Sequence, residues 1–455
     1  MRIQDLSIEL RKWNEIIEVK AKEYSLDFFP VHFEMVNYRE INEIAALGGF
    51  PQRYPHWRHG MGFDRISKEY TYGHSKIYEM VINTDPCLAY LLSSNSQVEH
   101  KMVMAHVYGH ADFFKNNIYF SKTNRKMLDQ VANHAVMIRR YQELHGVERV
   151  EEFVDAVLSL ENLINFQLIG KENSSQNFRV KKNSLEQRSH EMNSLERPER
   201  DLLLFLLKNA PLESWEIDIL EAIREESYYF APQRQTKIMN EGWASYWHAR
   251  ILTEKILKDS EVIDYAALHS GTMATPPGGL NPYKLGIELF RDIQKRWDRG
   301  QFGKEWDECK DPKKRKTWDK KTNLGMEKIF EVRKLHNDLS FIDAFLTEDF
   351  CREQNMFVFS KNQKSGDFQV KSREFAGIKE KLLSQLTNAG LPIIELLEMN
   401  YKNRSELFMQ HVAEKQGLDK KKAELTLKNV SKLWKRPVHI STLIEGKEEI
   451  ISSAS

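Results

Sequence analysis

Two stretches of this chain set polar, metal-competent residues at helical spacing, and together they constrain the fold more than any other feature. The first runs from Glu99 through His106 and His110 to Asp112 and Phe114. Positions i and i+4 lie one turn apart on one face of an α-helix, so His106 and His110 point the same way, at the reach a zinc ion needs from two imidazoles. Glu99 stands seven residues earlier, about two turns up the same face. His100 and Asp112 fall off that stripe. The second stretch is Asn240-Glu241-Gly242-Trp243-Ala244-Ser245-Tyr246-Trp247-His248. Glu241 and His248 share a face, and the small Gly242 and Ala244 leave room for another helix to come close. Two helices packed against each other are therefore expected.

Two neutral imidazoles and one carboxylate hold a metal while leaving a fourth position for water, as in catalytic zinc sites. Two histidines from one helix followed by a glutamate from a later helix resembles the gluzincin layout. The departure from that layout is Val107. The HExxH motif places a glutamate directly after the first histidine as general base, and here that position is apolar. Glu99 is the first candidate to replace it, through a water, with Asp112 and His134 as alternatives. His134 and His248 are candidates for a further ligand or a hydrogen-bond partner of the ligands, or for packed core residues. Arg234, just before Glu241, could neutralise a carboxylate or orient Glu241. In QRYPHWRH, Arg53, Tyr54, His56, Trp57 and Arg58 fit the lip of a pocket for an anionic or planar substrate. A packed aromatic loop fits them equally, and a buried His–Glu network without metal also stays open. Cys87 has no evident base beside it. The glycine pairs Gly48-Gly49 and Gly278-Gly279 form no phosphate loop, so no nucleotide or flavin motif is present. Paired ExxH segments of di-iron bundles are lacking too.

Composition narrows the partners. Lys plus Arg is 67 and Asp plus Glu is 66, which gives no electrostatic case for nucleic acid or an anionic membrane. The three cysteines, Cys87, Cys309 and Cys351, form no CxxC pair and fit a reducing compartment. The N-terminal segment is amphipathic rather than signal-like, and no run of about 18 apolar residues exists to span a membrane. A cytoplasmic protein is expected.

Along the chain, helices are expected over 5–24, 95–116, 127–145, 200–230, from about 235 and over 283–297. Irregular structure is expected over 28–75, where Gly and Pro recur. A strand is expected at IYEMVIN, 77–83. The polar 171–200 segment reads as a mobile insertion, and 303–336 as a solvated helical surface. After 340, MFVFSK and DFQVKS read as a hairpin, and IIELLEMNY, ELFMQHVA and RPVHISTLIEG as strands around a helix. The fold class is α+β and mainly helical: a gluzincin-like helical domain with a small sheet over 1–338, then a small mixed α/β domain over 339–455.

Several strings taken together are similar to the stage V sporulation protein R (SpoVR) family: YPHWR (54–58), YEMVINTDPCLAYL (78–91), MAHVYGHADFFKNN (104–117), FAPQRQTKIMNEGWASYWH (230–248), LNPYKLGIELFRDIQKRWD (280–298), FLTEDFCREQNMFVF (345–359) and RPVHISTLIEG (436–446). They run in order over nearly the whole chain. The resemblance implies a role in spore cortex formation or a related stress or stationary-phase process, and a link to a PrkA-type serine kinase and a YhbH-like protein. Two readings follow. One is a metal-dependent hydrolase, amidase- or peptidase-like, acting on a peptide or peptidoglycan-type substrate. The other is a non-catalytic regulatory scaffold that works with the kinase.

Overall fold

The computed structural model describes residues 5–71, 77–169, 198–275, 279–361, 368–412, 417–444 and 446–453. The chain forms a mainly helical α+β protein with a three-stranded sheet, a hairpin and a four-stranded sheet, the class its sequence leads one to expect. Its contacts divide into two compact units. One holds 1–51, 58–121 and 233–387; the other holds 52–57, 122–232 and 388–455. The stretch read from its texture as a C-terminal mixed domain therefore divides, with 339–387 packed in the first unit. The insertion expected at 171–200 lies, up to residue 197, outside the described residues.

In the first unit, β1 (Val31–Val36), β2 (Glu79–Ile82) and β3 (Cys87–Leu92) form a sheet of order β1-β3-β2, with β3 parallel to β1 and antiparallel to β2. All six residues of β3 are buried; a central strand covered on both faces reads as a continuous apolar run, not as an alternation. Its Cys87, Ala89 and Leu91 join the main core.

Up to residue 71, beyond which the rest of the stretch expected to be irregular lies outside the described residues, the segment from 28 is more regular than its glycines suggest. It contains β1 and the helices Tyr38–Ala46 and Trp57–Thr71. The first begins with a capping box, in which Asn37 accepts from Glu40 N and the Glu40 carboxylate accepts from Asn37 N. Within the second, Gly60 and Gly62 each cost only about 1 kcal/mol relative to alanine, too little to break a helix of 15 residues.

Three helices make the centre of this unit: Gln97–Asn116, Lys237–Ile251 and Pro282–Asp298. They approach at small residues. A Cβ on Gly109 would lie 2.6 Å from Ala244 Cα, and one on Gly242 would lie 2.4 Å from the Gly286 backbone. The close approach foreseen from Gly242 and Ala244 is thus present, with Gly109 and Gly286 as their counterparts. Polar locks fix the same contacts. Asp112 accepts from Trp243 Nε1 at 2.8 Å, Asp27 N at 2.8 Å and Arg333 at 3.0 Å. Asp338 caps the second helix, accepting from Ile238 N at 2.8 Å and Met239 N at 2.9 Å. The solvated surface expected at 303–336 is partly core, since helix Gly325–Leu335 buries Ile329, Val332 and Arg333. The hairpin expected after 355 is β4 (Val358–Lys361) with β5 (Phe368–Ser372).

In the second unit, helices Met127–His145 and Val147–Ser159 meet at Gly146, whose φ of 91° suits glycine. Helix Ser214–Gln235 carries Arg224, which is buried and pairs with Asp201 at 2.5 Å. The strands β6 (Ile394–Tyr401), β7 (Glu406–His411), β8 (Val438–Ile444) and β9 (Lys447–Ser452) form a sheet in chain order. β7 and β8 are parallel, so a crossover must join them, and helix Lys420–Trp434 supplies it.

Candidate metal centre

His106 and His110 lie on the inner face of helix Gln97–Asn116, both buried, with ring centroids 4.5 Å apart. Helix Lys237–Ile251, held against it at Gly109 and Ala244, brings Glu241 opposite them. Glu241 Oε2 is 3.4 Å from His106 Nε2 and 3.5 Å from His110 Nε2. These three residues are a group whose ligand atoms all lie within 4.8 Å of one another. A regular tetrahedron with metal–ligand bonds of about 2.1 Å has edges of about 3.4 Å, so the spacing suits a zinc-sized ion. Glu241 Oε2 is buried and accepts no hydrogen bond.

The other imidazole nitrogens are engaged. His110 Nδ1 donates to Asn240 Oδ1 at 2.9 Å, which leaves Nε2 with its lone pair turned toward Glu241. His106 Nδ1 lies 2.9 Å from His248 Nδ1, and His248 Nε2 lies 3.3 Å from His269 Nδ1. Burial, reinforced by the neighbouring His106, lowers His110 to about 4. Burial also keeps His248 well below the usual imidazole range, and His269 is lowered by burial and Arg291. Burial by itself raises the Glu241 carboxyl, but the neighbouring His106 and His110 and a hydrogen bond from Tyr283 together bring it below its ordinary value. Tyr283, raised by burial and by Glu241 and Glu79, sits with its ring nearly parallel to His106 at 6.1 Å. Glu79, on β2, is raised by burial, with His106 opposing and Glu241 adding to the shift.

The site residues expected from sequence are distributed as follows. His106, His110 and Glu241 come together, and His248 backs His106. Glu99 closes the capping box of its helix, its carboxylate accepting from Ser96 N at 2.5 Å; it lies about 10 Å of helix rise from His106. Arg234 is exposed in the last turn of Ser214–Gln235. Asp112 is one of the helix locks. His134 belongs to the second unit, with Nδ1 3.1 Å from Glu226 and Nε2 3.6 Å from Glu225. Arg53, Tyr54, His56 and Trp57 are in that unit too. Arg53 pairs with Glu226, and Asp155 accepts from Trp57 Nε1 at 2.8 Å and lies 3.1 Å from His56 Nε2. Tyr54 and His56 are buried, and Arg58 is exposed in the first turn of Trp57–Thr71.

Sequence reasoning passed over Glu79, Asn240, His269 and Tyr283. A signal existed for Glu79, the one charged residue in the strand-like IYEMVIN, and for Asn240, directly beside Glu241. Tyr283 and His269 come from the helix starting at Pro282 and from helix Val262–Met273, whose approach to the site has no local sequence signature.

Residues 5–391 match the family described as SpoVR like protein, and residues 392–445 match the SpoVR-like C-terminal domain. Among curated proteins, the chain is similar to "Uncharacterized protein YcgB" of Escherichia coli (strain K12), at 29% identity over 472 residues, covering 92% of this chain and 88% of that protein. No solved structure matches it. Among the described residues, no helix is long and apolar enough to cross a membrane.

Proposed function

The chain belongs to the SpoVR family, and from that premise we propose that it is a metal-dependent hydrolase of amide bonds in which His106, His110 and Glu241 hold a divalent ion, zinc first among the choices. One observation carries this reading: two imidazole Nε2 atoms converge on a buried Glu241 Oε2 that accepts no hydrogen bond. With the His110 proton on Nδ1, a lone pair faces a carboxylate oxygen, an arrangement that repels unless a cation lies between them. When bound, the metal supplies Lewis-acid polarisation of a carbonyl and of a water. The chain supplies the rest. Asn240 fixes the orientation and tautomer of His110, His248 holds the ring of His106, and the Tyr283 hydroxyl holds Glu241.

The gluzincin-like layout supports peptides or peptidoglycan-type amides as substrates. The family's name supports a cytoplasmic role in spore cortex formation or a related stress response. A panel of peptides and muropeptide amides, incubated with zinc-loaded protein and with Glu241→Gln, tests the chemistry. Cleavage that falls at least about 100-fold in the variant is expected; equal cleavage by both, or cleavage that survives chelation, would refute it. A second reading rests on Val107, which leaves the usual base position apolar: a regulatory scaffold acting with a PrkA-type kinase and a YhbH-like protein. A stable complex with the kinase that forms equally well with His106→Ala/His110→Ala, without any cleavage by the wild type, would favour it.

A further inference from the structure

We infer that Glu79, on the edge strand of the three-stranded sheet, is the proton-transfer residue of this centre, supplying the carboxylate that Val107 does not. The inference rests on the hydrolase reading above and deepens it. Its ground is sheet geometry. Side chains alternate along a strand, and directly paired residues of neighbouring strands share a face. Glu79 pairs with Leu91 and Val81 pairs with Ala89. Leu91, Ala89 and Cys87 belong to the core that also holds Met102, Val103, Met104 and Val107 of the double-histidine helix and Met239 and Trp243 of the glutamate helix; Val81 packs on the same core. The intervening Met80 and Ile82 turn the other way, where a Cβ at Gly49 would find Ile82 at 3.5 Å and Met80 at 3.8 Å. Parity therefore aims Glu79 at the helices that carry the ligands. The electrostatics agree with that direction: His106 lowers and Glu241 raises the Glu79 carboxyl, and Glu79 helps to raise the Tyr283 hydroxyl.

Glu79 is nonetheless not part of the ligand group confined to 4.8 Å. A carboxylate beside the ligand triangle, rather than in it, suits a base that acts on the attacking water. Glu99 has neither property: its carboxylate is committed to Ser96 N.

The step balances. The Glu79 carboxylate takes a proton from water as the water oxygen bonds to the amide carbon. The same proton passes to the leaving nitrogen as the C–N bond breaks, giving carboxylic acid and amine and restoring the carboxylate. No oxidant or further reactant is needed.

Co(II) serves as the probe, because its visible bands report coordination and respond to ionisation at the centre. Wild type, Glu79→Gln, Glu79→Asp and Glu99→Gln are loaded with Co(II) and titrated from pH 5 to pH 9. Glu79→Gln should bind Co(II) with the wild-type stoichiometry, yet show a displaced pH transition in its bands and lose about 100- to 10,000-fold of any amide cleavage found in the wild type. Glu79→Asp should recover part of both, and Glu99→Gln should match the wild type in both. An unchanged pH transition and unchanged cleavage in Glu79→Gln would overturn the inference. So would loss of Co(II) as complete as in His106→Ala, which would make Glu79 a ligand. A wild type that takes up no Co(II) would instead remove the metal reading itself.

Discussion

Among the described residues, two clusters of histidine and glutamate solve the problem of burying polar groups in opposite ways. In the second unit, His134 divides its two nitrogens between Glu226 and Glu225, and Arg53 neutralises Glu226. Each carboxylate has a cation or a hydrogen-bond donor of its own, Arg53 for Glu226 and Asn124 for Glu225, which is how a structural network of buried polar groups stays tolerable. In the first unit, two histidines turn the same kind of nitrogen, Nε2, toward a single carboxylate oxygen. Their Nδ1 atoms are occupied by Asn240 and His248. Both combine histidine with glutamate, but one cluster is closed by its own residues and the other converges on a point. Convergence, not the number of histidines, marks a candidate site.

The largest effect that sharpens this contrast is expected from Arg53→Met. Removing one partner of a buried pair costs about 3–5 kcal/mol, so hydrogen-exchange protection of helix Ser214–Gln235 should fall while metal content stays at the wild-type level. A coupled loss of metal would merge the two clusters into one functional unit. Next comes Gly242→Ala. Its new Cβ would lie 2.4 Å from the Gly286 backbone, and overpacking of this kind costs about 1–3 kcal/mol. The helices must part and carry Glu241 off the histidines, so thermal stability and metal affinity should drop together. A variant with normal affinity would show that the close approach does not set the ligand geometry.

A smaller effect is expected from Asn240→Ala, which removes the acceptor for His110 Nδ1. Metal affinity measured by competition with a chelator should weaken about 10- to 100-fold, whereas His134→Ala should not change it. The smallest effect concerns pH in the chelated protein. Burial lowers His110 to about 4, and His248 and His269 are also lowered. Near an ordinary histidine pKa of about 6.5, the unfolded chain takes up protons that the folded protein refuses, so stability is complete above that value and is lost as pH falls below it. Between about pH 6.5 and 5.5 the loss from His110 should approach about 1 kcal/mol, read as exchange at helix Gln97–Asn116. His110→Asn should flatten the slope; an unaltered slope would mean that other groups carry it.

The sequence disclosed what is local. His106 and His110 at i and i+4, and Gly242 and Ala244 beside Glu241, announce a shared helix face and a close helix contact, and both are present. The hairpin and the strands β6, β7 and β8 were legible from alternation and turn residues, whereas β9 was not. What stayed hidden depends on partners remote in the chain. Glu99 looked right because it shares a stripe with His106, but a helix start gives such a glutamate a competing use as a cap. His134 looked like a spare ligand because its helix spacing says nothing about Glu225 and Glu226, about 90 residues away in sequence. Glu79 was overlooked because a strand residue's face is fixed by its register with β3, and that register is a tertiary fact. Regular structure in 31–71 was missed because glycine was given more weight as a breaker than about 1 kcal/mol warrants.

The central claim is convergence on a metal, and elemental analysis tests it most directly. The wild type and His106→Ala/His110→Ala, purified side by side without added metal, would be compared by mass spectrometry for zinc, iron and manganese. About one equivalent of divalent metal in the wild type, absent from a double variant that keeps its helical content, is the expected result. A metal-free wild type that binds none of these ions when offered them would contradict it and leave the histidines as a buried polar network.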